Sequence, residues 1–206
     1  IYNIIAFDRR FRNILMYDLE IIESTLKTKV FYNFAHDYGP NGYLEAGNFK
    51  DKRQHGIFIK ILEENKDKNR NLPFIKHHNK KYGGVLPIWV ASKIFTLGMV
   101  FHFYRNIPTK NQKQIAYEFN TGPNQLSSWL ENIVYTRNMV AHYMRIYNFR
   151  LQKTPAKCKK NHVFIETTYM IFDIIYIMMF LTLNKKEWNN YIIHNIDALF
   201  QQYESH

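Results

Sequence analysis

Ile4-Ile5-Ala6-Phe7-Asp8-Arg9-Arg10-Phe11-Arg12-Asn13-Ile14-Leu15 opens a run that continues to Ala35 without a Gly or a Pro. Within it Ile4, Phe7, Phe11, Ile14, Leu15, Leu19, Ile22, Leu26, Val30 and Phe34 recur every three or four positions, the period of a helix with one apolar stripe. Arg9, Arg10, Arg12, Glu20, Glu23, Lys27 and Lys29 fill the other faces. Tyr38-Gly39-Pro40-Asn41-Gly42 then ends the register, because Gly and Pro together break a helix. A helix over 4–35 decides the fold class: shorter helices must cover its stripe.

The rest of the chain repeats the helical period. Ile57, Phe58, Ile61 and Leu62 predict a helix over about 51–64, followed by a polar loop from Asn65 to Asn71. Pro87 suits the first turn of an apolar helix that runs through Trp89, Ile94, Phe95, Val100, Phe101 and Tyr104. Further helices are expected over about 110–119, 123–148 and 162–183. Asn184 with Glu187 three residues later predicts a capping box, opening a last helix to about Tyr203. Gly (8) and Pro (6) are few and strand-like alternation is rare, so the chain reads as all-α. With 206 residues, 46% of them hydrophobic and 17% aromatic, it can bury a sizeable core and reads as a single domain over 1–206, with neither repeat nor linker.

Lys and Arg total 28 against 17 acids, a net charge of +11. Such a surplus favours an anionic partner, nucleic acid before a membrane surface. The single cysteine, Cys158, excludes an intrachain disulfide and suits a reducing cytoplasm. The most apolar run, Tyr169 to Leu183, contains Asp173 and falls short of the ~20 residues a membrane span needs, so it is expected to be a core helix.

Arg137-Asn138-Met139-Val140-Ala141-His142-Tyr143-Met144-Arg145 gathers more chemically able groups among apolar ones than any other stretch. On a helix over 123–148, Asn138, His142 and Arg145 fall at i, i+4 and i+7 and share one stripe of an otherwise broadly packed helix. Arg137 lies to one side, with an arm long enough to swing toward His142. These groups suffice for RNA cleavage without a metal. The 2′-hydroxyl attacks the neighbouring phosphorus, an imidazole, which titrates near pH ~6.5, moves the proton, and a guanidinium holds the phosphate. The same stripe could equally make structural hydrogen bonds to a neighbouring helix, and an Arg and a His five positions apart are a weak signal alone.

At these residues the chain resembles a known family. Trp129-Leu130-Glu131-Asn132 and Thr136-Arg137-Asn138-Met139-Val140-Ala141-His142-Tyr143-Met144-Arg145-Ile146-Tyr147-Asn148 resemble the Abi-like (AbiD/AbiF) abortive-infection family. Phe7-Asp8-Arg9-Arg10-Phe11-Arg12, Ile21-Ile22-Glu23 and Tyr38-Gly39-Pro40-Asn41-Gly42-Tyr43-Leu44 are similar to its first block, and Leu86-Pro87-Ile88-Trp89-Val90 with Phe95-Thr96-Leu97-Gly98 to its central block. The resemblance implies the HEPN superfamily: a helical bundle with additional helices, and a ribonuclease motif carried here by Arg137, Asn138 and His142. It also implies a homodimer that joins two motifs in one cleft, infection-triggered RNA cleavage in phage defence, and pairing of some members with a structured noncoding RNA. Tyr143 stands where such proteins often carry a second His, and a family N-terminal segment is expected ahead of Ile1.

Around the motif, Arg145, Arg150, Lys153, Lys157, Lys159 and Lys160 are the candidate RNA-binding cations; from Arg150 to Lys160 there is no acid. Tyr147 and Phe149 could stack on bases. His36, His55, His77 and His78 lack Cys or acid partners at ligand spacing, so neither a metal nor another cofactor is expected. Cys158 with His162 has no third member for nucleophilic catalysis. The chain therefore reads as a metal-independent endoribonuclease. The alternatives are a non-catalytic RNA-binding module holding a structured noncoding RNA, and an interaction protein whose motif stripe is a dimer seam.

Overall fold

A computed structural model describes residues 2–157 and 168–204. The all-α expectation is borne out: the described residues are helical with no strand among them. α1 spans Tyr2–Tyr38, α2 Lys52–Lys68, α3 Pro73–Lys81, α4 Ile88–Ala91, α5 Leu97–Asn106, α6 Thr109–Glu118, α7 Pro123–Ala141, α8 Ile171–Leu181, α9 Lys185–Glu187 and α10 His194–Glu204. Short 3-10 turns cover Gly42–Leu44, Ala46–Asn48 and Ser92–Ile94, and a π-helical segment, Trp188–Ile193, joins α9 to α10. Backbone contacts group the chain into two compact units, residues 25–118 and residues 1–24 with 119–206, and α1 belongs to both.

α1 forms because its stripe is buried. Phe7, Phe11, Leu15, Leu19, Ile22, Leu26, Val30 and Phe34 are all shielded from solvent, at roughly 1.5–3 kcal/mol for each side chain removed from water. Ile4, counted in the stripe by spacing, is exposed instead. Gly39, at φ +74°, follows the last turn in the left-handed conformation that commonly ends helices, and its N–H reaches Ala35 O at 2.8 Å.

The unit of residues 25–118 is held by an aromatic core. Phe34 meets Phe103 at 4.9 Å between ring centroids, and Phe95 meets Phe31 at 5.2 Å and Phe58 at 5.3 Å, near the edge-to-face geometry that rings prefer. Asp51 caps α2 by accepting from the N–H groups of Arg53 and Gln54. The Asn106 amide holds this cap in place, donating to Asp51 O at 2.9 Å and accepting from Asp51 N at 2.8 Å. α2 runs on to Lys68, past the polar loop expected from Asn65, because Asn65 donates to Ile94 O and its own carbonyl accepts from Asn69. The apolar helix expected from Pro87 to Tyr104 is divided. α4 and a 3-10 turn end at Ile94, and Thr96 starts α5 as an N-cap by accepting from Met99 N at 3.2 Å.

In the unit formed by residues 1–24 and 119–206, Phe7 packs edge-on against Tyr147, Phe200 and Tyr203. Half of the expected capping box forms: Asn184 caps the helix by accepting from Glu187 N at 3.2 Å, but the Glu187 carboxylate returns to the Asn184 side-chain amide, also at 3.2 Å, and not to its backbone N–H. α8 begins at Ile171, and the first residues of the helix expected from 162 lie outside the described ones. No described helix is long and apolar enough to cross a membrane.

Asp18 is fully buried on α1, facing the end of α8. The Thr182 hydroxyl lies 2.8 Å and 3.0 Å from its two carboxylate oxygens and 3.0 Å from Met178 O. One hydroxyl proton cannot serve all three acceptors, so a protonated Asp18 would complete the set by donating to Thr182. Burial raises the Asp18 carboxyl to about 7, against the weaker lowering effect of the Thr182 hydrogen bond. Since an unfolded Asp titrates near ~3.9, the folded state holds the proton more tightly, and the charged form destabilises the fold. Stability should therefore fall as pH rises from about 4 through about 7. Asp18→Asn should remove this slope and stabilise the protein at pH ~8 by on the order of 2–4 kcal/mol, read from urea midpoints at acid and alkaline pH. A wild type with flat stability across this window would rule the account out.

Candidate functional site

α7 presents the motif. Gly122 is its N-cap and Pro123 occupies the first turn, where a missing N–H costs nothing. Leu126, Trp129, Leu130, Ile133, Met139 and Val140 are buried and fix the rotation of the helix. That rotation leaves Asn138 and His142 in solvent, one turn apart, with Cβ atoms roughly 5–6 Å apart by helix geometry. Their side chains make no hydrogen bond to any described residue.

The expected helix over 123–148 stops early. α7 ends at Ala141, and His142 is its C-cap. Tyr143 turns left-handed at φ +57°, with Tyr143 N on Val140 O at 3.2 Å and Met144 N on Met139 O at 3.0 Å. These two bonds form a Schellman ending, which satisfies carbonyls that the helix leaves open. Arg145 is therefore not on the stripe with Asn138 and His142; it is exposed on the following segment. Asn148, placed near the helix end by spacing, lies outside it at φ +52°.

The cause of the early ending lies far away in sequence. Asp8, buried on α1, accepts from Ile146 N at 2.9 Å and Tyr147 N at 2.7 Å through one oxygen. Its other oxygen pairs with Arg12, and Arg12 also donates to Met144 O at 3.3 Å. In a continued helix the two amides would point back at the carbonyls of residues 142 and 143; here a buried carboxylate takes them. Asp8 and Arg12 thus hold the turn beside His142. Spacing alone gives them no role, although both stand in the block Phe7–Arg12.

Arg137 is half-buried and directed at α1, its Nε 3.4 Å from a carboxylate oxygen of Glu23. The swing toward His142 is not the arrangement found. Among the basic candidates, Arg145, Arg150, Lys153 and Lys157 are exposed, and Lys159 and Lys160 lie outside the described residues, as do Cys158 and His162. The stretch without acids is not free of them in space: Lys153 pairs with Glu131 of α7 at 2.7 Å. Arg150 lies over the Tyr169 ring at 5.5 Å. The segment carrying these cations is tied to α7, where the Trp129 indole N–H donates to Ala156 O at 2.8 Å, Gln125 donates to Lys157 O at 2.6 Å, and Ser128 Oγ accepts from Ala156 N at 3.0 Å. Tyr147 is half-exposed, with its ring against Phe7, so it is part core and part surface.

The remaining histidines have structural partners or stand apart. His55 is buried with Nε2 3.0 Å from Tyr43 O, and His78 Nδ1 lies 2.8 Å from Phe74 O on its own helix. Among the described residues no three His, Cys, Asp or Glu side chains gather as a metal site.

The arrangement defines an all-helical protein with an exposed Asn-His pair at a helix C-terminus, an acid-held Arg beside it and basic side chains on the segment that follows. A family model described as Abi-like protein matches residues 1–148, and the chain belongs to that family. The match covers the first block, the central block and the whole of α7 and its ending, and it supports an abortive-infection role. A comparison with curated proteins found no match, and a comparison with solved structures found none either.

Proposed function

We propose that the chain is a metal-independent endoribonuclease of the HEPN type, acting in abortive infection as a homodimer. The observation that carries this reading is His142: an imidazole at the end of α7, exposed, with no partner among the described residues, beside an equally unpartnered Asn138. An imidazole so placed can take the proton from a 2′-hydroxyl or give one to the leaving oxygen. Asn138 would orient the imidazole or the phosphate. Arg137 would stabilise negative charge on the phosphorus oxygens once released from Glu23, and Arg145, Arg150, Lys153 and Lys157 would hold the flanking backbone, with Lys159 and Lys160 assigned to the same task. DNA lacks the attacking hydroxyl, so the chemistry selects RNA. Membership of the Abi-like family supports the setting.

The Glu23–Arg137 pair favours a second reading. An Arg engaged by a carboxylate is withheld from phosphate, as it would be in a binding module that holds a structured noncoding RNA without cutting it. In the enzyme reading, a second copy or the substrate itself must draw Arg137 away. The two separate in one assay. Incubated with RNA in EDTA, the protein should leave 2′,3′-cyclic phosphate ends if it is the enzyme. Tight binding without cleavage, unchanged when Glu23→Gln frees the guanidinium, would favour the module.

A further inference from the structure

The turn that ends α7 holds Tyr143 in a costly conformation and leaves its ring in solvent. Its φ of +57° lies in the left-handed region, where a Cβ is unfavourable and where the corresponding place of a Schellman ending is usually Gly. The side chain is nonetheless 83% exposed, so packing within the described residues does not offset the strain. The backbone around it is held from α1, by Arg12 on Met144 O and by Asp8 on the N–H groups of Ile146 and Tyr147. An exposed aromatic ring on an anchored backbone therefore follows His142 immediately and precedes the exposed Arg145 by two residues.

Strain kept at an exposed aromatic residue, next to the one unpartnered imidazole of the motif, points to a ligand that uses the ring. The surroundings say which. In a chain of net charge +11, exposed Arg145 follows the ring by two residues and exposed Arg150 by seven, so an aromatic face and cations share one segment of the chain. Single-stranded nucleic acid is bound in this way, bases on the ring and phosphates on the cations. We propose that Tyr143 is a stacking platform that seats one unpaired base of the RNA beside His142. This rests on the RNA reading above and deepens it. A base inside a duplex offers no free face, so the platform selects single strands, loops and bulges over helical RNA.

Three variants and one ligand test the assignment: wild type, Tyr143→Gly and Tyr143→Phe, each titrated with a short single-stranded RNA containing a fluorescent adenine analogue that is quenched when stacked. Tyr143→Gly should bind at least about tenfold more weakly and lose the quenching. It should also melt at a higher temperature than wild type, because Gly removes the strain at φ +57°. Tyr143→Phe should keep both the affinity and the quenching. A Tyr143→Gly protein that binds and quenches like wild type overturns the platform and leaves the RNA reading standing. Wild type that binds no RNA of any kind removes the RNA reading and the platform with it. A Tyr143→Gly protein whose only defect is lost self-association assigns the ring to a seam between two copies and also overturns the proposal.

Discussion

If the proposed function holds, His142→Ala should abolish RNA cleavage while the protein stays folded. Loss of a positioned proton carrier lowers the rate by about 10²–10⁴-fold, which in a phage-defence assay or on overexpression amounts to complete loss of effect. The substitution is nearly neutral for stability, within about 0.5 kcal/mol, because the side chain is exposed and touches no described partner. This separation is what makes the experiment decisive. Two measurements check it: cyclic phosphate ends on RNA treated in EDTA, and the urea midpoint of the same sample. If His142→Ala cuts as fast as wild type, the motif does not house the chemistry. If it unfolds, the placement of His142 in solvent is wrong.

The second large effect belongs to Asp8, which spacing analysis passes over. Asp8→Ala leaves the part-buried Arg12 guanidinium without its counter-charge and strips two amides of their acceptor at once. Breaking a buried pair from one side costs roughly 3–5 kcal/mol, far more than the pair's own net contribution. The unfolding midpoint in urea should fall accordingly. Arg12→Ala should cost less, since the remaining carboxylate keeps both of its amide bonds. RNA cleavage by Asp8→Ala should also fall at temperatures where the protein remains folded, because the turn after His142 loses its anchor. An Asp8→Ala protein with wild-type stability would show that the turn is held by the Schellman bonds alone.

The contrast between α1 and α7 explains how much of this was legible. α1 was readable almost to its ends, because its stripe is long and regular and Gly39-Pro40 stops it locally. The Asn184–Glu187 cap was readable for the same reason: both partners lie within one turn. The ending of α7 was not. Tyr143-Met144-Arg145-Ile146 contains no Gly or Pro and continues the helical period, and what stops it is a carboxylate 138 residues away. The break at Thr96 lies between these cases: an N-cap residue was present, but an apolar run on both sides hid it. At the candidate site, it was the sequence that singled out Arg137, Asn138 and His142. Their surroundings could not be read there, because exposure depends on which face Trp129 and Leu130 bury, and the Glu23 contact joins two helices that are distant in the chain. The stacking role of Tyr143 depends on a backbone angle that no sequence pattern announced.

The tie between Trp129 and Ala156 has a consequence for observation. The indole is fully buried, yet its N–H ends on a carbonyl of the segment that bears Arg150, Lys153 and Lys157. Indole emission responds to the hydrogen bond at this nitrogen and to the field around it. A chromophore sealed in the core is thus joined to the basic surface, and once Trp89 and Trp188 are replaced by Phe its emission should report, without a label, on whatever settles there.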